Sequence, residues 1–195
     1  MKVLLLRQKE ESQKKFCETL KNAGDEVVHL NEDIFSNNYK IENFDFIICF
    51  GYRRLIPNKM VEKFNNKIIN LHISLLPWNR GADPNLWSFL ESTPKGVSIH
   101  FIDSGIDTGP ILTSKKVEFS NNETLRSSYN ILLKTIESLF DETWKEIRLN
   151  KLKPIKQLGK GSFHKFKDKE QYKHLLIDGW DTKINLIKGK ANETQ

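Results

Sequence analysis

Asn70, His72 and Asp107 are the side chains whose types and spacing could do chemistry. An amide that donates N–H bonds, an imidazole that exchanges a proton near neutral pH and a carboxylate that can steady it are the parts of an acid-base site. Strand alternation over residues 67–73 puts Ile69, Leu71 and Ile73 on one face and Asn70 with His72 on the other. Alone, that pair reads more readily as a solvated strand edge. The loop that follows, Ser74-Leu75-Leu76-Pro77 and then Asn79-Arg80-Gly81, leaves the end of the strand, where open α/β sheets place their ligands. Further on, Asp103-Ser104-Gly105-Ile106-Asp107-Thr108-Gly109 has glycines for positive φ and aspartates for local backbone bonds. Such a turn can hold a carboxylate against an imidazole, or be an ordinary Asx-rich turn.

The elements that must position these groups alternate along the chain. Strands over 3–6, 26–30 and 46–50 and a helix over 13–22, with Phe16 and Leu20 on one face, make a βαβ pattern. Pro57 opens a short helix to residue 64, residues 68–73 are the fourth strand, and 84–90 is a helix. Residues 97–102 and 111–117 read as a hairpin pair around the Asp-rich turn, and His100 on the first of them reads as structural. From Glu123 a long helix carries Leu125, Tyr129, Leu132, Ile136, Leu139, Phe140, Trp144 and Ile147 at helical spacing, a stripe that reads as core, with Ser120-x-x-Glu123 as its capping box. The predicted fold is α/β, a Rossmann-like doubly wound, mostly parallel sheet in a single domain. Residues 1–150 form the functional unit, and 151–195, where composition shifts around Lys153-Pro154-Ile155, pack on it or extend it. Gly159-Lys160-Gly161 lacks the spacing of a phosphate loop and reads as an ordinary turn, and 191–195 as a frayed tail.

Together, the stretches Asn70 to Pro77 and Ile102 to Gly109 resemble the folate-dependent formyltransferase family, whose members include methionyl-tRNA formyltransferase, glycinamide ribonucleotide transformylase and the N-formyltransferases of nucleotide-linked amino sugars. The resemblance extends back to Asp45 through Pro57. It implies the formyltransferase fold and 10-formyltetrahydrofolate as formyl donor; no metal is expected, because no His/Cys/carboxylate cluster has metal-ligand spacing. Asn70 then donates to the formyl oxygen as it becomes an oxyanion, His72 stabilises that oxyanion or relays the amine's proton, and Asp107 fixes the imidazole. The pterin is implied to lie against Arg54, Leu55 and Ile56, with the turn carrying Ile102, Asp103, Ile106 and Thr108 on its other side. Leu76, Pro77, Arg80 and Gly81 are implied contacts of the amine substrate.

Within the family, the stretch Asn79 to Trp87 is most similar to the amino-sugar enzymes, which implies formylation of a nucleotide-linked amino sugar for polysaccharide biosynthesis. The short stretch Gly161-Ser162-Phe163-His164 resembles one in the same enzymes, although His164 reads as a surface histidine. Arg7-Gln8-Lys9-Glu10-Glu11 stands where the glycinamide ribonucleotide enzyme has a glycine-rich phosphate loop, so that purine reading is the alternative, as is a non-catalytic folate- or nucleotide-binding module. At 195 residues there is no room for the added domains of the tRNA and hydrolase members.

Composition bounds the partners. The net charge of +6 suits anionic small molecules, because its lysines are scattered among acids and no basic block interleaved with aromatics marks a nucleic-acid surface. The apolar run from Val3 to Leu6 is far too short for a signal peptide core, and nothing approaches the roughly 20 apolar residues of a membrane span. Cys17 and Cys49 have no ligand or disulfide spacing and suggest the reducing cytoplasm. The expected partner is a small anionic substrate, without nucleic acid or membrane, and a homodimer stays open.

Overall fold

The computed structural model of the chain describes residues 1–7, 13–30 and 41–193. In chain order the elements are β1 (Lys2–Arg7), α1 (Gln13–Asn22), β2 (Glu26–Leu30), β3 (Phe46–Phe50), α2 (Asn58–Phe64), β4 (Ile68–His72), β5 (Arg80–Gly81), α3 (Pro84–Leu90), β6 (Gly96–Phe101), β7 (Ile111–Lys116), α4 (Leu125–Arg148), β8 (Phe163–His164) and α5 (Ile184–Ile187). Tight 3-10 turns cover Phe166–Leu175 and Gly179–Asp181.

Unbroken apolar runs become central strands because both of their faces are covered. Val3 to Leu6 and Phe46 to Phe50 are buried throughout. The six-stranded sheet has the order β2-β1-β3-β4-β6-β7. The β1, β2, β3 and β4 pairings are parallel, whereas β6 runs antiparallel to both β4 and β7. One face carries the main core, where Leu5, Ile48, Ile69 and Ile99 meet Phe16 of α1 and Ile136, Phe140 and Trp144 of α4. On the other, Leu4, Ile47, Cys49 and Ile68 pack with Phe64 of α2. A separate cluster joins α3 to the C-terminal segment through Trp87, Phe89, Leu125, Tyr172 and Ile187. The architecture is thus the doubly wound, mostly parallel α/β sheet expected.

Three local expectations change. The long helix begins at Leu125, and its cap is Thr124, whose side chain accepts from Ser127 N while Ser127 Oγ accepts from Thr124 N. Ser120 instead closes the turn before it, accepting from Asn122 N at 3.2 Å. His164 is buried, because its ring stacks on Trp87 with centroids 3.7 Å apart and its Nε2 lies 3.0 Å from Glu91 Oε1. Ala191, expected in the frayed tail, is buried in the α3 cluster; residues 194–195 lie outside the described residues, as does 8–11 of the phosphate-loop comparison.

Candidate active site

The winding of the sheet reverses between β1 and β3, so a crevice forms beyond the carboxyl ends of the parallel strands. A cavity of about 820 Å³ occupies it, lined by Phe50 and Gly51 at the end of β3, His72 and Ile73 at the end of β4, and side chains from later in the chain. The pleat selects which groups face it. Cys49, Asn70 and His100 are cross-strand neighbours in β3, β4 and β6, and His72 lies opposite Ser98 one pitch further along.

After β6 the chain makes an excursion that returns over the face bearing Asn70, with Phe101 N donating to Pro110 O at 2.9 Å where it closes. Asp107 sits on it with φ +53, a left-handed conformation that Asp tolerates better than most residues. The side-chain amide of Gln157 donates to both Asp107 O and Gly109 O at 2.8 Å, which holds that conformation. The carboxylate then meets four groups. Asn70 Nδ2 donates to Oδ1 at 3.0 Å, Gly81 N donates to Oδ2 at 2.9 Å, His100 Nε2 lies 3.4 Å from Oδ1 and His72 Nδ1 lies 3.7 Å from Oδ2. Burial alone would push this carboxyl up. The two imidazoles and the Gly81 N–H outweigh it and hold Asp107 well below the usual carboxylate range.

His72 is buried, and its Nε2–H donates to Asn79 O at 3.0 Å, leaving Nδ1 toward Asp107. The expected bond from Asp107 to this ring is therefore an approach at ion-pair distance. His100 donates Nδ1–H to Phe101 O at 2.8 Å and turns Nε2 toward Asn70 and Asp107, so it belongs to the cluster as well as to the strand. Asn79 is itself pinned, its backbone N donating to Ser162 Oγ at 2.9 Å and its amide to Thr93 Oγ1 at 2.8 Å.

Segment 160–164 clasps the loop between β4 and α3. Arg80 N donates to Ser162 O and Ala82 N to His164 O, so that β5 and β8 pair in parallel. Gly81 has φ +87 and a Cβ there would stand 2.3 Å from His164 O; only glycine lets its N–H reach Asp107 with that strand so close. Gly161, expected in an ordinary turn, has φ +58 and abuts Pro77 O in the same way.

Of the implied pterin contacts, Arg54, Leu55, Ile56, Ile102, Asp103 and Ile106 line the cavity. Thr108 does not, and its hydroxyl donates to Asp103 Oδ1 at 2.6 Å. Of the implied substrate contacts Gly81 lines it, whereas Leu76 and Pro77 lie away from it and Arg80 gives its guanidinium to Lys160 O at 3.0 Å. Tyr129, expected in the core stripe of α4, lines the cavity instead, as do Phe166 and Trp180 of the C-terminal segment, to which the sequence assigns no role. No periodic pattern marks the last two, and exposed aromatics in an irregular stretch are the one signal they leave. Burial, with the Asp107 charge adding to it, pushes the Cys49 thiol up to about 12. Among the described residues no group of three His, Cys, Asp or Glu side chains could hold a metal ion, and no helix is long and apolar enough to cross a membrane.

Known proteins match this chain. A family model described as formyl transferase matches residues 3–142. Methionyl-tRNA formyltransferase of Finegoldia magna is 36% identical over 116 residues, which cover 59% of this chain and 35% of that protein. Phosphoribosylglycinamide formyltransferase of Bacillus subtilis is 33% identical over 97 residues, covering 49% of this chain and 50% of that one. The chain spans between a third and about half the length of the curated relatives it matches. The crystal structure of the formyltransferase PseJ from Anoxybacillus kamchatkensis, in complex with UDP-4,6-dideoxy-4-formamido-L-AltNAc and tetrahydrofolate, is 50% identical with a TM-score of 0.93, and the match covers 98% of this chain and 100% of that one.

Proposed function

The chain belongs to the formyl transferase family, and from that premise we propose that it moves the formyl group of 10-formyltetrahydrofolate to the primary amine of a nucleotide-linked amino sugar. The observation that carries this reading is the joining of Asn70, His72 and Asp107 at one cavity, in a chain half identical along its length to a protein seen with a formamido sugar nucleotide and tetrahydrofolate. The cavity fits the donor: Leu55, Ile56, Ile102 and Ile106 offer apolar surface to a flat ring, and the polar groups converge beside it.

Asn70 spends one N–H on Asp107 and keeps the other for the formyl oxygen, as charge grows there during attack by the amine; its second partner, His100 Nε2, is distant at 3.4 Å. Such a donor contributes about 3 kcal/mol. His72 has its Nε2–H committed to Asn79 O, so Nδ1 takes the proton from the amine as the new C–N bond forms. Ionised Asp107 faces that proton, and His72 returns it to the nitrogen that gives up the formyl group. The free thiols of Cys17 and Cys49 support a cytoplasmic enzyme.

The test is tetrahydrofolate release with a panel of amines: UDP- and dTDP-linked 4-amino and 3-amino deoxysugars, glycinamide ribonucleotide and Met-tRNA. A sugar nucleotide is expected to be the best acceptor. If glycinamide ribonucleotide wins, the sugar reading fails while family membership stands; donor binding without turnover on any amine would favour a binding module.

A further inference from the structure

We propose that Phe166 and Trp180 form the nucleobase subsite of this cavity, stacking the base of the nucleoside diphosphate that carries the sugar. The inference rests on the reading above that the amine arrives on a nucleotide-linked sugar. Besides residues 50–56 and the excursion from Ile102 to Asp107, which the reading above gives to the flat ring of the formyl donor, the cavity is lined by the start of α3, Tyr129, Phe166 and Trp180, which that reading leaves without a ligand group.

Phe166 is 63% exposed and Trp180 42%. Leaving ring surface in water is unfavourable, and aromatic faces at a cavity rim mark a ligand contact. Both rings are held without being buried. Lys169 Nζ lies 4.0 Å from the Phe166 centroid and also pairs with Asp83 Oδ2 at 2.8 Å, which fixes that ring beside the start of α3. Trp180 stands in the turn Gly179–Asp181, which is tied to the start of α4. Arg126 Nε and Nη2 donate to the Asp181 carboxylate at 2.8 and 3.0 Å, and Leu125 N donates to Thr182 O at 3.1 Å. By contrast, Trp87 and Trp144 are buried and serve the core. A nucleobase offers a π face to each exposed ring, and stacking of that kind tolerates any base. The exposed Lys165 and Lys167 flank Phe166 in the chain and add positive charge beside it, which favours an anionic ligand.

The experiment is titration of the full chain with UDP, read by calorimetry and by tryptophan fluorescence, with tetrahydrofolate titrated in parallel. Trp180→Ala and Phe166→Ala are each expected to weaken UDP binding on the order of tenfold, with tetrahydrofolate affinity unmoved as evidence that the variant is folded. Trp180→Phe should keep most of the affinity and lose the fluorescence change, which identifies Trp180 as the reporting ring. Unchanged UDP affinity in both alanine variants overturns the subsite and leaves the formyl-transfer reading intact. Wild-type protein that binds tetrahydrofolate but neither UDP nor dTDP overturns the subsite together with the sugar-nucleotide reading.

Discussion

The strand that carries Asn70 and His72 and the segment from Ile155 to His164 are built in opposite ways, and the active site needs both. β4 lies between β3 and β6, its position fixed by ladders on either side and by apolar residues on both faces. The C-terminal segment has almost no regular structure. It holds on by single contacts: Ile155 exchanges two 2.8 Å backbone bonds with Ile111, Gln157 grips the Asp107 backbone, Gly161 abuts Pro77 and Ser162 anchors Asn79. The first region supplies the groups proposed to react, and the second sets where their partners stand. A rigid strand alone would leave His72 without the carbonyl that fixes its proton, and Asp107 without the amide that holds its backbone.

The largest effect should come from the strand side. His72→Ala and Asp107→Ala are each expected to lower kcat at least about a hundredfold with donor affinity little changed, and the double variant should cost little more than the worse single one. Losses that multiply would show the two groups acting separately. Near-normal turnover by folded His72→Ala would remove the mechanism.

Asp107 also gives the cluster a signature in acid. Its folded-state pKa lies below the unfolded value, so its contribution to stability is complete above the unfolded pKa of about 4 and is lost as pH falls from there toward the folded value. Urea unfolding between pH 7 and pH 2.5 should show wild-type stability dropping over that range and a flatter curve for Asp107→Asn. Parallel curves would mean that the carboxylate is not held by its neighbours.

The smallest effect belongs to the strap, and a pair of glycines isolates it. Gly161→Ala combines positive φ with a contact of 2.1 Å to Pro77 O, whereas Gly159→Ala meets only the unfavourable φ of +84, with nothing within 4 Å. Gly159→Ala is expected to cost about 1 kcal/mol and leave kcat alone; Gly161→Ala should cost about 2 kcal/mol and lower kcat several-fold by shifting Asn79. Equal kcat in the two variants would uncouple the strap from His72.

What could be read in the sequence follows the same division. Period-two alternation put Asn70 and His72 on one face, apolar runs marked β1 and β3, and Pro84 marked the start of α3, because these depend on neighbours in the chain. Antiparallel pairing of β6 with β4 brings His100 opposite Asn70, and that register exists only in the folded sheet, which is why His100 read as structural alone. The roles of Gln157 and Ser162 were hidden for a related reason: each acts through long-range bonds to a backbone, with no repeat to announce them. Arg80 was an implied contact of the amine substrate, and its guanidinium instead donates to the carbonyls of Lys160 and Ser162.

The thiol of Cys49 has a meaning beyond filling the wall. A thiolate beside an activated formyl group would attack it, and the enzyme would end as a thioester of itself. Burial keeps the sulfur protonated, with its pKa pushed up to about 12. In the proposed formyl transfer, the chamber can therefore contain a latent nucleophile and still deliver its one-carbon cargo only to the visiting amine.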